Sequence, residues 1–522
     1  MRISKQRSLL VIAVTLVFGL SMALVLPWLA GAQGRAAELR NYPKQAEGPD
    51  VLARYYVAKT GDGSEGLNWT TAFTNVQDAL AKAYLVGDAE IWVAEGVYYP
   101  DEGSGNVGDA VTSTFVMTDN VALYGGFDAS ETLLSERDWR TNVTVLSGDI
   151  DGNDITDANG IVLTTSHIIS DNAYNVVSAR GVSGTAVLDG FTITAGFANG
   201  ASFSPQSYGG GMYCDGKENA DQCNPTLRNI DFYGNMAKSS GGAMFNDGAY
   251  DGESSPILYN VSFYNNTATS SGGAIYNDGA VSGESYPKMT NVTFKGNAAR
   301  IGGAVFNSGF DRGRSSPILI NVLFSGNYAE FHGGAMYNYG QQGTSSPSFT
   351  NVTFSGNYAG IKGGALYNEG VEGGESHSSV RNSILWNNQD SSGTSTISAT
   401  VVNDSATINF KNSLVQGTGG SSTWISDAKI INLGGNIDQD PIFLLPVNPA
   451  TATTTAGNLR LQSSSPAIDK GFNDHVSGVL TDLDGEARIV AGPGYITPTV
   501  DMGAYEYQIP YKYDGYLPFI YR

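Results

Sequence analysis

Acidic side chains recur at matching places in neighbouring copies of a sequence repeat. Asp247 and Asp278 follow the asparagines of two successive copies, and Glu253 and Glu284 share a position in the loop that comes next. If the copies stack at the strand spacing of about 4.8 Å, these carboxylates approach the roughly 5 Å separation of retaining glycosidases. Loops that arise by duplication of the repeat also duplicate their acidic residues, however. Neither pair of acidic residues continues into the next copy. Because exposed carboxylates lack the raised pKa of a catalytic acid, we favour the structural interpretation.

A second acidic cluster has the composition of a calcium site. The segment DIDGNDITD places Asp149, Asp151, Asn153, Asp154 and Asp157 around a glycine turn. Carboxylate and amide oxygens at alternating positions are ligands that Ca²⁺ prefers. The bidentate glutamate of an EF-hand is missing, and an acidic, solvated loop is the alternative interpretation. Calcium is the one cofactor that the sequence predicts.

The cysteines and histidines offer little further chemistry. Cys214 and Cys223 are the only cysteines, and we predict that they form a disulfide, which export from the cytoplasm permits. The four histidines share no spacing that indicates a catalytic or metal site. Gly-His-Gly and Arg-Ile-Lys signatures of polygalacturonase-like enzymes are also missing. We therefore predict no catalytic residue.

The Gly-Gly element of every copy ends in an aromatic residue. Such a column could stack sugars if it faced outward, but aromatic side chains also bury readily against one another. We favour packing beneath the neighbouring loops. The column consists of Tyr213, Phe245, Tyr276, Phe306, Tyr337 and Tyr367.

Charge and the N-terminus indicate where the protein works. The 522 residues carry a formal net charge of −21, which disfavours nucleic acid and anionic membranes and suits cations or neutral glycans. Arg2, Lys5 and Arg7 precede an apolar run, and Ala30-Gly31-Ala32 follows it as a cleavage pattern. We predict a signal peptide over residues 1–32, with an uncleaved anchor as the alternative. Either way the protein is expected outside the cytoplasm or on the cell surface.

The repeat itself determines the expected fold. A Gly-Gly-Ala/Gly-aliphatic-aromatic element begins at 209, 241, 272, 302, 333 and 363, and an Asn-Val-x-Phe-x-x-Asn element begins at 229, 260, 291, 321 and 351. Two elements in phase at a period of about thirty residues are typical of a solenoid. Period-two alternation breaks at the first asparagine, which predicts a left-handed corner there. We predict an all-β, right-handed parallel β-helix with three strands per coil.

The side chains that the coils should share form three inner ladders. These are Leu227, Leu258, Met289, Leu319 and Phe349; Ile230, Val261, Val292, Val322 and Val352; and Phe232, Phe263, Phe294, Phe324 and Phe354. Loops such as the one between Asn246 and Pro256 are expected to project from a corner without packing. An amphipathic helix over Thr74–Leu85, capped by Thr74, should cover the open end of the solenoid.

Three stretches resemble known families. The alternating GGA and FxxN elements resemble the polymorphic outer membrane protein repeat. YYVAKTGDGSEGLNWTTAFTNVQDAL resembles the start of pectate-lyase-type (pectin-lyase-like) β-helix proteins. LRLQSSSPAIDKG, TDLDGEAR and VDMGAYEY are similar to the choice-of-anchor Q domain. These resemblances imply an exported β-helix repeat protein and specify no reaction.

Taken together, the patterns predict a non-enzymatic surface or secreted protein for adhesion, surface structure or contact with extracellular glycans. A polysaccharide lyase or glycoside hydrolase on the same fold is the alternative, and a cleft that gathers Asp with Lys or Arg would favour it. The expected divisions are a signal peptide (1–32), a linker (33–54), the cap and first coils (55–111), irregular coils (112–208), regular coils (209–390), last coils (391–439), a C-terminal domain (440–508) and a tail (509–522).

Overall fold

The computed structural model describes residues 52–508 except 105, 107, 109, 219, 220 and 495. The predicted signal peptide, almost all of the linker and the tail lie outside these residues. Apart from residues 85–87, the described residues belong to one compact unit. Within it, no helix has the length and apolar character needed to span a bilayer.

Each regular coil contains three strands that pair with the same strands of the coils before and after. In one coil these are Ile257–Tyr264, Thr267–Ala268 and Ile275–Asp278. All of them pair in parallel with their counterparts in the next coil. The predicted parallel β-solenoid, of about 10 turns, is confirmed.

The coils generate three long sheets. The first has 16 strands: Ala53–Val57, Ala89–Ala94, Gly96–Tyr98, Val121–Phe127, Thr144–Ser147, Val187–Thr194, Thr226–Tyr233, Ile257–Tyr264, Lys288–Lys295, Ile318–Ser325, Ser348–Ser355, His377–Arg381, Ile384–Trp386, Thr407–Lys411, Leu414–Val415 and Ile430–Asn432. The second has nine: Phe115–Met117, Val177–Arg180, Met212–Asp215, Met244–Asp247, Ile275–Asp278, Val305–Ser308, Met336–Tyr339, Leu366–Glu369 and Val401–Asp404. The third has six: Phe197–Ala198, Met236–Ala237, Thr267–Ala268, Ala298–Ile301, Tyr328–His332 and Tyr358–Ala359.

The remaining elements are short. Glu284–Ser285 pairs with Arg314–Ser315, and Phe443–Leu445 pairs antiparallel with Asn458–Leu461. Within residues 52–508, the α-helices described are Val76–Val86 and Ile397–Thr400. Single 3₁₀ turns lie at Leu134–Glu136, Thr165–His167, Pro205–Ser207, Pro449–Thr451 and Asn473–Val476.

The three inner ladders have the register that the sequence predicts. Their members pair coil to coil and are buried. The phenylalanine rings stack nearly parallel, with centroids 4.7–4.9 Å apart. Three positions on each coil therefore place continuous columns of apolar side chains along the axis, which buries them without a globular core.

The corner asparagines adopt the left-handed conformation, with a φ of 56° at Asn260. Their amides also bond along the axis, since Asn260 Nδ2 donates to Asn229 Oδ1 over 2.6 Å. The strand Ile257–Tyr264 spans this corner, and its pairing with the next coil passes over Asn260 itself. The next corner needs glycine: Gly272 has a φ of 65°, and a Cβ on Gly273 would lie 2.2 Å from the carbonyl oxygen of Gly303.

Both ends of the apolar core are covered. Val76, Ala79, Leu80 and Ala83 of the first helix pack into the core, which confirms the capping helix. Its N-cap is Asn75 instead of the expected Thr74, because Asn75 Oδ1 accepts the backbone N–H of Asp78 over 2.9 Å. At the other end the half-buried Trp424 and Ile425 pack against the core.

Two parts of the chain flank the outer face of the first sheet. The segment 128–172 contributes the strand Thr144–Ser147 to this sheet, and an ion pair of 2.8 Å joins its Arg137 to Asp189. The C-terminal segment 440–508 covers later coils, where Met502 and Ala504 join Leu323 in a second apolar cluster. Between these two segments, part of the outer face of the first sheet is flanked on both sides.

Candidate functional site

The two predicted acid ladders lie in register on adjacent coils. Asp247 pairs with Asp278 at the ends of neighbouring strands of the second sheet, and Asp215 extends this column by one coil. Glu253 and Glu284 also pair from coil to coil. The sequence therefore gives the correct positions for both ladders and misses the third member of the first.

The expected exposure of the aspartate column is wrong. Asp247 is only 7% exposed, and the hydroxyl of Tyr213 donates to its carboxylate over 2.7 Å. Burial raises the pKa of Asp215 to about 6, and burial together with Asp247 raises the pKa of Asp278 to about 7. A raised pKa suits a general acid, but a carboxylate this buried leaves a substrate little access. We interpret the column as structural.

The burial follows from the loops, which do not project freely as expected. They pair from coil to coil through backbone hydrogen bonds: Gly248 N donates to Asp278 O over 2.8 Å, and Val281 N donates to Phe310 O over 2.8 Å. Phe310 also packs against the aromatic column. Repeated backbone pairing thus turns the loops into a wall beside the second sheet.

That wall decides the role of the aromatic column. All six predicted members are between 4% and 9% exposed and stack along the axis. Packing beneath the loops is confirmed. A sugar platform would need exposed ring faces, and in this column neighbouring rings cover one another.

The aspartate column predicts a pH dependence of stability. A carboxyl group whose pKa is raised in the folded state binds its proton more tightly there, so stability is greatest at low pH and falls as pH rises from about 4 to 7. Asp278→Asn, which mimics the protonated acid, should unfold at a higher temperature than wild type at pH 8, by about 2–4 °C. The advantage should vanish near pH 4.

Thermal unfolding followed by circular dichroism between pH 4 and 8 measures this difference. Asp251→Asn, on an exposed loop residue, is the matched control and should track the wild type. A constant offset of Asp278→Asn at every pH would contradict the assignment of a raised pKa to this carboxyl.

The predicted calcium ligands are near one another in sequence, yet their oxygens already bond within the protein. Asp149 Oδ1 accepts the backbone N–H of Asn153 over 3.0 Å, and Asn153 Nδ2 donates to Asp151. Asp154 accepts from Asn172 Nδ2 over 2.7 Å, and Asp157 accepts from the backbone of Ile161. Burial raises the pKa of Asp154 to about 6. Among the described residues, no three acidic, histidine or cysteine side chains gather as a metal-binding group.

The predicted disulfide is present. Cys214 and Cys223 are joined, with their Cα atoms 5.6 Å apart, and both are fully buried. Cys214 lies on a strand of the second sheet at the position where the next coil has Asn246. The disulfide therefore precedes, in the same column of the second sheet, the buried asparagines that begin at Asn246.

A polar cluster that sequence analysis missed lies on the outer face of the first sheet. Tyr233 and Tyr264 are in register, and their rings stack with centroids 4.5 Å apart. Lys295 continues this column, while Asp231 and Ser262 form the parallel column two residues earlier. All five side chains are half-buried. We call this set the tyrosine groove.

The flanking segments wall the tyrosine groove at both ends. From the segment 128–172, the guanidinium of Arg140 lies 4.7 Å over the ring of Trp139 and is close enough to Asp231 to lower its pKa. From the C-terminal segment, Arg460 is close enough to Lys295 to lower its pKa. An open depression of about 570 Å³ adjoins the first wall and is lined by Leu133, Leu134, Ser135, Arg137, Trp139 and Asn229.

Burial dominates the titration of the groove. It raises the pKa of Asp231 against the opposing effects of Ser262 and Arg140, and it lowers the pKa of Lys295. Both shifts favour the neutral forms of these groups. The cluster thus offers a carboxyl, an amine and several hydroxyls on one half-buried surface.

Comparison with known proteins identifies the repeat. Residues 260–278 and 351–369 match the Chlamydia polymorphic membrane protein repeat. These two segments are similar to repeats of this type. No curated protein matches the chain.

The two matches to the polymorphic membrane protein repeat cover the same structural unit. Each begins at a corner asparagine and ends at the last residue of a strand in the second sheet. The repeat therefore contains the end of a strand in the first sheet, the third-sheet strand, the paired glycines and the second-sheet strand. It specifies how the coils stack.

Proposed function

We propose that the protein is a repeat protein of the cell surface that serves adhesion or surface structure and catalyses no reaction. The observation that carries the proposal is the match of two coils to the polymorphic membrane protein repeat. The regular ladders and the capped ends support it, because a stiff, closed solenoid presents long side faces to a partner. The net charge of −21 keeps such a surface soluble.

Surface exposure can be tested in the cell that produces the protein. Protease treatment of intact cells should release peptides of residues 52–508, and a strain without the protein should adhere less to its substratum. Mass analysis of the exported chain should find an N-terminus near Gln33. Complete protection from the protease would refute surface display, and recovery of intact residues 1–32 in the membrane fraction would favour the anchor.

A polysaccharide-cleaving enzyme is the second candidate, because the tyrosine groove places Asp231 and Lys295 on one face. We expect no turnover of pectin, polygalacturonate or alginate, since the acidic protein repels polyanions and basic residues do not recur in register along the regular coils. The assay is the ultraviolet absorbance of unsaturated products with and without calcium. Product that disappears in Asp231→Asn would establish the enzyme instead.

Calcium binding at Asp149, Asp151, Asn153, Asp154 and Asp157 also stays a proposal. The donor types suit Ca²⁺, but these side chains would have to exchange their present hydrogen bonds for the ion. If they do, millimolar calcium should raise the unfolding temperature by about 1–3 °C relative to EDTA, and Asp151→Asn should abolish the increase. An unchanged melting curve would contradict calcium binding at these residues.

A further inference from the structure

We infer that the tyrosine groove binds a neutral, hydroxyl-rich oligosaccharide. The inference deepens the proposed adhesive function, on which it rests, by naming the surface and the class of ligand. It starts from the position of the groove, whose side chains are half-buried on the outer face of the first sheet between two separate segments of the chain.

The charged groups of the groove lie near one another without pairing, and the carboxylate of Asp231 accepts a hydrogen bond from Ser262. Among the residues that the structure describes, Asp231, Arg140 and Lys295 take part in no ion pair within 4.0 Å. Charged groups that lie near one another without pairing retain donors and acceptors for a further partner. Thr293 adds a hydroxyl in the same column, whereas the hydroxyl of Ser262 already bonds Asp231 and Tyr264.

The mixture of groups matches sugar hydroxyls better than charged sugars. Every hydroxyl of a sugar both donates and accepts hydrogen bonds, so it can use the carboxyl of Asp231 as well as the amine of Lys295. A uronate would meet Asp231 and also Asp157, which is close enough to Tyr233 to raise its pKa. With a net charge of −21 on the whole chain, a polyanion gains too little from Arg140 and Lys295.

The tyrosines give the groove its apolar component. Their rings pack face to face and are half-buried, and each tyrosine combines an apolar ring with a polar hydroxyl. Trp139 adds a half-exposed indole at the wall. A few convergent polar groups beside aromatic surface are the usual composition of a site for a small organic ligand.

Affinity gel electrophoresis with the full protein tests the inference. Gels contain a soluble β-glucan, a xylan or a galactomannan, and a further gel contains polygalacturonate. We expect at least one neutral polymer to retard the wild type, and Asp231→Asn and Lys295→Met each to weaken binding about five- to tenfold, as one or two lost hydrogen bonds would.

The control is Tyr328→Phe, because Tyr328 and Tyr358 form a stacked pair on the third sheet, away from the groove. It should bind like the wild type, whereas Tyr264→Phe should bind more weakly. Circular dichroism melts of every variant exclude loss of folding as the cause.

No retardation by any neutral polymer, retardation by polygalacturonate alone, or equal binding by wild type and the groove variants would each overturn the inference. These outcomes are separate from the test of surface display. Exposed protein on intact cells with a groove that binds no neutral glycan would leave the surface function in place and refute only the ligand.

Discussion

Phe294→Ala is expected to destabilise the β-helix by about 3–5 kcal/mol, the usual cost of truncating a buried phenylalanine. Phe294 is fully buried, and its ring stacks on Phe263 at 4.9 Å and on Phe324 at 4.7 Å. The substitution therefore opens a cavity and removes two ring contacts at once. Because each coil contacts only its neighbours, the destabilisation should be largest in the coils that contain these three rings.

Urea unfolding monitored by tyrosine and tryptophan fluorescence measures the effect. Thr293→Ala, one residue earlier on the half-buried outer face, is the matched control and should shift the free energy of unfolding by less than about 1 kcal/mol. Equal shifts for the two variants would show that the inward and outward assignments of this strand are reversed.

The ladders could be predicted because they depend only on local alternation and on an exact repeat. Alternation assigns Leu258, Val261 and Phe263 to one face, and the period then fixes which residues stack on them. The same reasoning located the corner asparagine and the paired glycines, since a position that recurs in every coil with such a residue type indicates a backbone requirement. Pairing along the axis confirms the ladders, and the positive φ angles of Asn260 and Gly272 confirm the two corners.

The aspartate column shows where repeat-based reasoning stops. Its register was predicted correctly, but its burial depends on loops that pair through their backbones from coil to coil. Backbone hydrogen bonds leave no mark in the side-chain pattern, so glycine- and serine-rich loops were interpreted as unpacked. The consequence was an incorrect expectation about the exposure and the pKa of Asp247 and Asp278.

The tyrosine groove was beyond prediction for another reason. Tyr233, Asp231 and Lys295 occupy outward positions that vary from copy to copy, so the repeat gives them no distinctive signal. Their significance comes from the two segments that reach the same face, which place Arg140 about 90 residues before Asp231 and Arg460 about 165 residues after Lys295 in the chain. Only the fold brings Arg140 and Arg460 to this face.

The second asparagine of each Asn-Val-x-Phe-x-x-Asn element has a role that the motif alone does not reveal. These residues form a fully buried ladder inside the solenoid. Asn297 Nδ2 donates to Phe263 O and to Asn327 Oδ1, each over 3.0 Å. In turn, Asn297 Oδ1 accepts the backbone N–H and the side-chain amide of Asn266 over 3.1 and 3.0 Å. One side chain thus satisfies polar groups of two coils.

Asn297→Ala should therefore destabilise the protein by about 3–5 kcal/mol, because it leaves two or three buried polar groups unpaired at roughly 1–3 kcal/mol each. Urea unfolding gives the total, with the exposed Asn159→Ala as the control that should cost little. Hydrogen exchange distinguishes this mechanism from a packing defect: the amide of Asn266 loses its acceptor and should exchange faster. Unchanged exchange at Asn266 alongside lower stability would mean that the ladder does not hold the coils together through this bond.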